Sequence, residues 1–265
     1  MAKTIGIMSL KGGVGKTSTT VALGDALANL GKKVLLVDAN FSTPSLGLHF
    51  NIINPEKTIH DVINRTINIA EAIINVGNMD VLPASLFYDR AFNPMSLRNK
   101  LRAVNKKYDF ILIDSSPSLN DETLAAMLAS DSLFVVTTPD VPTLSMTLKA
   151  IKIARQRGTK IDGLILNKVH NKNFELSLED IEKTAEIPIL AVIPHDVGFL
   201  KALSENVPFT SRKPNSKGSI EFMKLAGVLS GIKFRTYSIK ELVNLVTPSR
   251  QEINRELYYH RVFED

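Results

Sequence analysis

Residues 10–18 read Leu10-Lys11-Gly12-Gly13-Val14-Gly15-Lys16-Thr17-Ser18. A site for a polyphosphate needs small residues that let backbone N–H groups approach the oxygens and a lysine that reaches the terminal phosphates. It also needs a hydroxyl for Mg²⁺ and a helix N-terminus aimed at the anion. Gly12, Gly13 and Gly15 are the small residues, Lys16 is the cation and Thr17 the hydroxyl, with Val14 and Ser18 completing the loop. The apolar run Thr4 to Met8 precedes the loop and reads as a strand. Thr17 to Leu30 follows with Val21, Leu23, Ala26, Leu27 and Leu30 at helical spacing and Gly31 as its C-cap. Strand, glycine loop and helix in that order are the context a phosphate loop requires. In two features the stretch departs from the generic pattern: Leu10 stands where the first glycine is expected, and an extra lysine stands at Lys11.

Outward from the loop, short runs rich in Ile, Val and Leu recur at Lys33 to Val37, Met79 to Leu82, Asp109 to Ile113, Ser132 to Thr137, Ile161 to Leu166 and Ile189 to Val192. They are continuous rather than alternating, so they read as strands buried on both faces. Helical patterns lie between them, as at Leu144 to Arg157 with Gly158 behind it. Strand alternating with helix predicts one α/β domain over residues 1–231: a single doubly wound, mostly parallel sheet with helices on both faces. After Gly231 the pattern changes. Ile239, Leu242, Val243 and Val246 fall at helical spacing within Ser238 to Val246, Pro248 breaks the run, and Ser249 with Glu252 makes a capping box for a last helix containing Ile253 and Leu257. Residues 232–265 therefore read as a short C-terminal helical extension, both helices docking on the parent fold.

Among the 265 residues there is no cysteine, which excludes a disulfide framework, a thiol nucleophile, a zinc ribbon and a thiolate-held iron–sulfur cluster. No apolar run approaches the length of a membrane span, and Met1-Ala2-Lys3 opens no export signal, so a cytoplasmic protein is expected. The net charge of +5 permits contact with phosphates or anionic lipid without demanding it.

Lys-Gly-Gly-Val-Gly-Lys-Thr with its early Lys11 resembles the deviant Walker A box of the MinD/ParA family of ATPases. Other marks of that family follow in order: Leu35-Leu36-Val37-Asp38, Phe110 to Asp114 with Ser115-Ser116-Pro117, and Leu166-Asn167-Lys168. The resemblance covers about residues 3–230 and implies ATP and Mg²⁺ as cofactors in an ATP-sandwich homodimer, Lys11 reaching the phosphates bound by the other subunit. An aspartate at the carboxyl end of a buried strand beside a phosphate loop sits where Mg²⁺ and its waters are held. Asp38 and Asp114 are both so placed, with Thr17 as the third oxygen. Guanine-specific relatives hold the base with Asn-Lys-x-Asp, whereas here Asn167-Lys168-Val169 is followed by His170, which argues for adenine. The resemblance further implies that Asn167 meets the adenine amino group and that Pro194, His195 and Asp196 pass the base.

Family members usually carry a second acid two positions after the first strand-end aspartate, associated with the attacking water. Here the run is Asp38-Ala39-Asn40. An asparagine orients water but carries no charge to polarise it, so slow basal hydrolysis is expected, raised by a protein activator. With the fold comes an expected role in spatial positioning, of a division site, chromosome, plasmid or similar cargo. The alternative is an interaction scaffold in which bound ATP locks the dimer. A metabolic phosphate-loop enzyme would need a small-substrate site that the sequence does not offer. Two acid-free basic stretches, Arg90 to Lys107 and Lys149 to Lys160, read either as solvated helix faces or as a nonspecific DNA surface, with Lys168 to Lys172 beside them. The last 33 residues hold six Lys plus Arg against five Asp plus Glu, a poor composition for anchoring on anionic lipid and thus weak support for a peripheral membrane role.

Overall fold

In the structure, a computed structural model, residues 1–232 and 249–264 are described. The expected helix over Ser238 to Val246 lies outside the described residues. The strands are β1 (Lys3–Met8), β2 (Val34–Ala39), β3 (Ile74–Val76), β4 (Met79–Leu82), β5 (Phe110–Ser115), β6 (Ser132–Thr137), β7 (Lys160–Val169) and β8 (Ile189–Pro194). Between them lie α1 (Lys16–Asn29), α2 (Ile59–Ile63), α3 (Ile69–Ala72), α4 (Leu97–Leu101), α5 (Asp121–Ala129), α6 (Val141–Gln156) and α7 (Leu178–Ala185). After β8 come α8 (Gly198–Ser204), α9 (Phe209–Arg212), α10 (Lys217–Leu229) and α11 (Arg250–Phe263).

One eight-stranded sheet runs β3-β4-β2-β5-β1-β6-β7-β8. Every pairing is parallel except β3 with β4. The doubly wound sheet expected from the apolar runs is present. The antiparallel edge strand β3 was not among the expected strands, because Ile74–Val76 is three residues long and only partly covered, too short for a periodicity to register.

Alternate residues of each central strand enter different cores. Val34, Leu36, Phe110, Leu112, Phe134 and Val136 pack with Leu23, Leu27, Phe222 and Leu225 of α1 and α10 on one face. Leu35, Val37, Ile111 and Ile113 pack with residues of α2, α4 and α5 on the other, and Val135 and Leu164 pack there with α6 and α7. Two-sided burial accounts for the unbroken apolar runs in the sequence.

The last helix starts at the expected Ser249/Glu252 capping box, but it turns a different face inward than its apolar spacing predicts. Ile253 and Leu257 are 46% and 64% exposed, while Arg255 and Tyr258 are buried. The reason is the surface it meets. β8 is an edge strand whose carbonyls need donors. Asn254 Nδ2 donates to the Ile189 carbonyl at 2.8 Å and Arg255 to the Leu190 carbonyl at 2.9 Å. Beyond them the Tyr258 hydroxyl donates to buried Asp162 at 2.8 Å, and Lys3 donates to the Tyr258 oxygen at 2.5 Å. Among the described residues no helix is long and apolar enough to cross a membrane.

Candidate nucleotide site

At the carboxyl ends of β1, β2, β5 and β7 an open cleft of about 380 Å³ forms where the strand order reverses around β1. Its floor is the loop quoted above. Gly13 and Gly15 take φ +78 and +95, left-handed values that a side chain strains to adopt, and a Cβ on Gly15 would collide with the Asn167 amide nitrogen. The chain enters α1 directly from Gly15, so that helix's first N–H groups face the cleft.

Parallel register pairs Asp38 on β2 with Asp114 on β5, and their neighbours' alternation sends both carboxyls to the α1 side of the sheet. Asp38 is wholly buried and accepts from the backbone N–H groups of Leu46 at 2.9 Å, Ser45 at 3.1 Å and Asn40 at 3.2 Å. Asp114 accepts from the Thr17 hydroxyl at 2.6 Å, and that hydroxyl also meets Ser45 Oγ at 2.9 Å. Burial, and then the adjacent Asp114 carboxylate, push the Asp38 carboxyl well above the usual carboxylate range. Burial also raises Asp114, against the opposing pull of Thr17 and Lys16. Two buried carboxylates at one level are costly without a cation. Asp114 Oδ1 has no hydrogen-bond partner among the described residues, so an oxygen acceptor is left over beside the Thr17 hydroxyl. Such an all-oxygen set, with a leftover acceptor for a bound water, fits Mg²⁺. Lys16 is buried beside this pair, and burial lowers its ammonium while Asp114 raises it.

Every site residue expected from the sequence lies at or beside this cleft, though several do so with partners that the sequence does not reveal. Val14 is buried, so only its backbone is available; its carbonyl accepts from Asn167 Nδ2 at 2.7 Å. Asn167 therefore braces the phosphate loop with its amide nitrogen, while its amide oxygen meets no donor among the described residues. Asn40 lines the cleft, yet both ends of its amide are engaged by Thr43: the NH₂ donates to the Thr43 carbonyl and the oxygen accepts from the Thr43 hydroxyl at 3.0 Å. Lys11 is exposed at the rim, opposite the acid-capped start of α6, where Asp140 feels its charge. Gly12 and Ser18 line the floor, and Pro194, His195 and Asp196 line the far wall. The His195 ring stacks on His170 at 4.5 Å, and Asp196 is held by Lys213 at 2.7 Å.

Lys168, Ser45, Pro117, Phe199 and Leu200 also line the cleft and were not expected as site residues. Lys168 takes a left-handed φ of +57 and donates to the Gly13 carbonyl at 2.7 Å, bracing the loop alongside Asn167. Its position after Asn167 was a usable signal, as was that of Pro117 in the Ser115-Ser116-Pro117 run; Ser45 sits in a loop and Phe199 and Leu200 open the short α8, and for these three the sequence carried none.

Residues 2–161 match a family model described as an AAA domain. An uncharacterized ATP-binding protein of Methanocaldococcus jannaschii is 32% identical over 250 residues, spanning 93% of this chain and 95% of the relative. The septum site-determining protein MinD of Thermotoga maritima is 33% identical over 245 residues, 87% of this chain and 89% of the relative. Among solved structures, the septum site-determining protein MinD of Pyrococcus horikoshii, complexed with Mg-ADP, is 33% identical and superposes with a TM-score of 0.81. It covers 89% of this chain and 100% of that one.

Proposed function

Because the chain belongs to the MinD/ParA family of P-loop ATPases, we propose that it is an ATP-binding switch that dimerises around its nucleotides, hydrolyses ATP slowly and acts in spatial positioning within the cell. The observation that carries this reading is the register pair Asp38 and Asp114 set against Thr17 at the head of α1, with one Asp114 oxygen left unpartnered. Backbone N–H groups from Gly12 to Ser18 take the phosphate oxygens, and Lys16 neutralises the terminal phosphates. Thr17 would hold Mg²⁺, with Asp38 and Asp114 holding it through water; when bound, the ion would offset charge on the terminal phosphates. Asn167 offers its amide oxygen to the adenine amino group, and Pro194 to Asp196 wall the base. Lys11 supplies charge to the phosphates of a second copy, for which its exposed position at the rim leaves it available.

A second reading has one specific observation in its favour. With its amide engaged by Thr43 at both ends, Asn40 is spent on loop shape, which suits a scaffold whose bound ATP locks the dimer and is seldom hydrolysed.

For the surface on which the switch acts, nonspecific DNA has more support than a membrane. Lys149, Lys152, Arg155, Arg157 and Lys160 are exposed on and after the end of α6, and Arg90, Arg98, Arg102, Lys106 and Lys107 are exposed around α4. The last helix, by contrast, is tied to β8 through Asn254 and Arg255 and to Asp162 on β7 through Tyr258. Titration of the protein with a fluorescent ATP analogue, with and without Mg²⁺, tests the switch. Gel shift on random DNA and co-sedimentation with anionic liposomes, each with and without ATP, test the surface. ATP-dependent retardation that weakens steeply with salt is expected; liposome binding with no DNA retardation reverses the assignment.

A further inference from the structure

α5 begins immediately after the loop leading away from Asp114, and two adjacent residues of its first turn reach in different directions. Thr123 donates through its hydroxyl to the Ser118 carbonyl at 2.5 Å and the Ser116 carbonyl at 3.2 Å, while Asn120 caps the Thr123 N–H at 3.0 Å. This fastens the β5 loop to the helix. Glu122 turns to the other cleft loop: one carboxylate oxygen accepts both the Ser42 N–H, at 3.1 Å, and the Ser42 hydroxyl. Ser42 lies two positions beyond Asn40, between buried Phe41 and the Thr43 that engages Asn40. Glu122 is only 6% exposed, and its second oxygen is buried without a partner among the described residues. A buried carboxylate partnered at one oxygen is an expensive way to fill space, because a leucine there would carry no unmet acceptor. What it does that leucine cannot is hold Ser42.

We propose that Glu122 is a positioning residue that ties the Asn40–Thr43 loop to the β5 loop through one turn of α5, so that the two cleft loops respond to the terminal phosphate as a unit. The role rests on the ATPase reading above. Loops that respond to the γ-phosphate contribute to binding ATP and not ADP, so the strut sets the preference between the two nucleotides.

The test compares wild type with Glu122→Leu, Glu122→Gln and Ser42→Ala by two readouts. Hydrogen exchange of amides 40–46 in nucleotide-free protein reports the tie itself; calorimetric affinities for Mg-ATPγS and Mg-ADP report its consequence. Glu122→Leu should speed exchange across 40–46 and lower the ATPγS-to-ADP affinity ratio about tenfold, a change of about 1.4 kcal/mol. Glu122→Gln, whose amide oxygen still accepts from Ser42, should restore most of both. Ser42→Ala should move both readouts in the direction of Glu122→Leu, and the double variant should be no worse than Glu122→Leu alone. Ser42 is exposed, so Ser42→Ala and Glu122→Gln still decide the matter if Glu122→Leu fails to fold. Wild-type exchange in Glu122→Leu, or a loosened loop with an unchanged affinity ratio, overturns the proposal. Wild type binding neither nucleotide would instead overturn the ATPase reading, with the exchange data still deciding whether Glu122 holds the loop.

Discussion

Asn40 occupies the position where a second strand-end acid is usual in the family, and its environment gives the substitution a concrete consequence. Its NH₂ donates to the Thr43 carbonyl; a carboxylate there would face that carbonyl oxygen with no proton to offer, and would be driven from it toward the cleft. Asn40→Asp should therefore both free the side chain and supply the missing charge. Positioned acid–base groups contribute about 10² to 10⁴ in rate, so single-turnover hydrolysis at saturating Mg-ATP should rise by at least tenfold in this variant. Equal rates would assign position 40 to loop shape alone. Asn167 and Lys168 show the same mixture of duties, each bracing the phosphate loop through a backbone carbonyl while lining the cleft.

At the scale of elements, α2 carries a buried histidine that ties stability to pH. His60 lies in a ring cluster, stacked on Tyr88 at 4.5 Å and edge-on to Phe41 and Phe92 at 5.6 and 4.9 Å. Burial holds its imidazole down to about 4, against a smaller opposing pull from the Phe41 backbone and Asp61. In the unfolded chain the ring takes up its proton near pH 6.5, so between that pH and about 4 the unfolded state binds more protons than the folded one. The stability contributed by the neutral ring is thus fully present above pH 6.5 and is lost as pH falls toward 4, on the order of 3 kcal/mol in all. Thermal melts of wild type should fall across that window and those of His60→Phe should fall less; parallel curves would remove His60 as the cause. α11 supplies a second element-level expectation. Tyr258→Phe removes a donor from buried Asp162 and should cost roughly 1 to 3 kcal/mol by denaturant titration. A truncation ending at Gly231 would go further, stripping the Ile189 and Leu190 carbonyls of their donors and opening the β8 edge, so it should melt well below wild type.

For the whole molecule the decisive group in the proposed switch is Lys11, which is exposed and lies within electrostatic reach of Asp140 at the start of α6. In the proposed ATP-bound dimer, two facing nucleotides would bring several negative charges together, and Lys11 from the opposite copy would offset them. Lys11→Ala should abolish ATP-induced dimers measured by light scattering while leaving the monomer's nucleotide affinity within a few-fold. Dimerisation like wild type would remove Lys11 from the interface.

The glycine-lysine loop, the strand-end aspartates and the continuous apolar runs were legible without coordinates because each is a local requirement. A phosphate loop needs its small residues in sequence, and a strand buried on both faces needs apolar residues throughout. The same holds for the Ser249 capping box, which closes over three residues. What the tertiary structure alone decided are contacts between residues far apart in the chain: Asp38 level with Asp114 through strand register, Glu122 on Ser42, Lys168 on Gly13. The face of α11 belongs to this group. Its spacing marks Ile253 and Leu257 as the apolar side, but the surface awaiting the helix is an edge strand's carbonyls and a buried aspartate, which take hydrogen-bond donors. Asn254, Arg255 and Tyr258 therefore turn inward, since an unmet buried acceptor costs more than an exposed leucine.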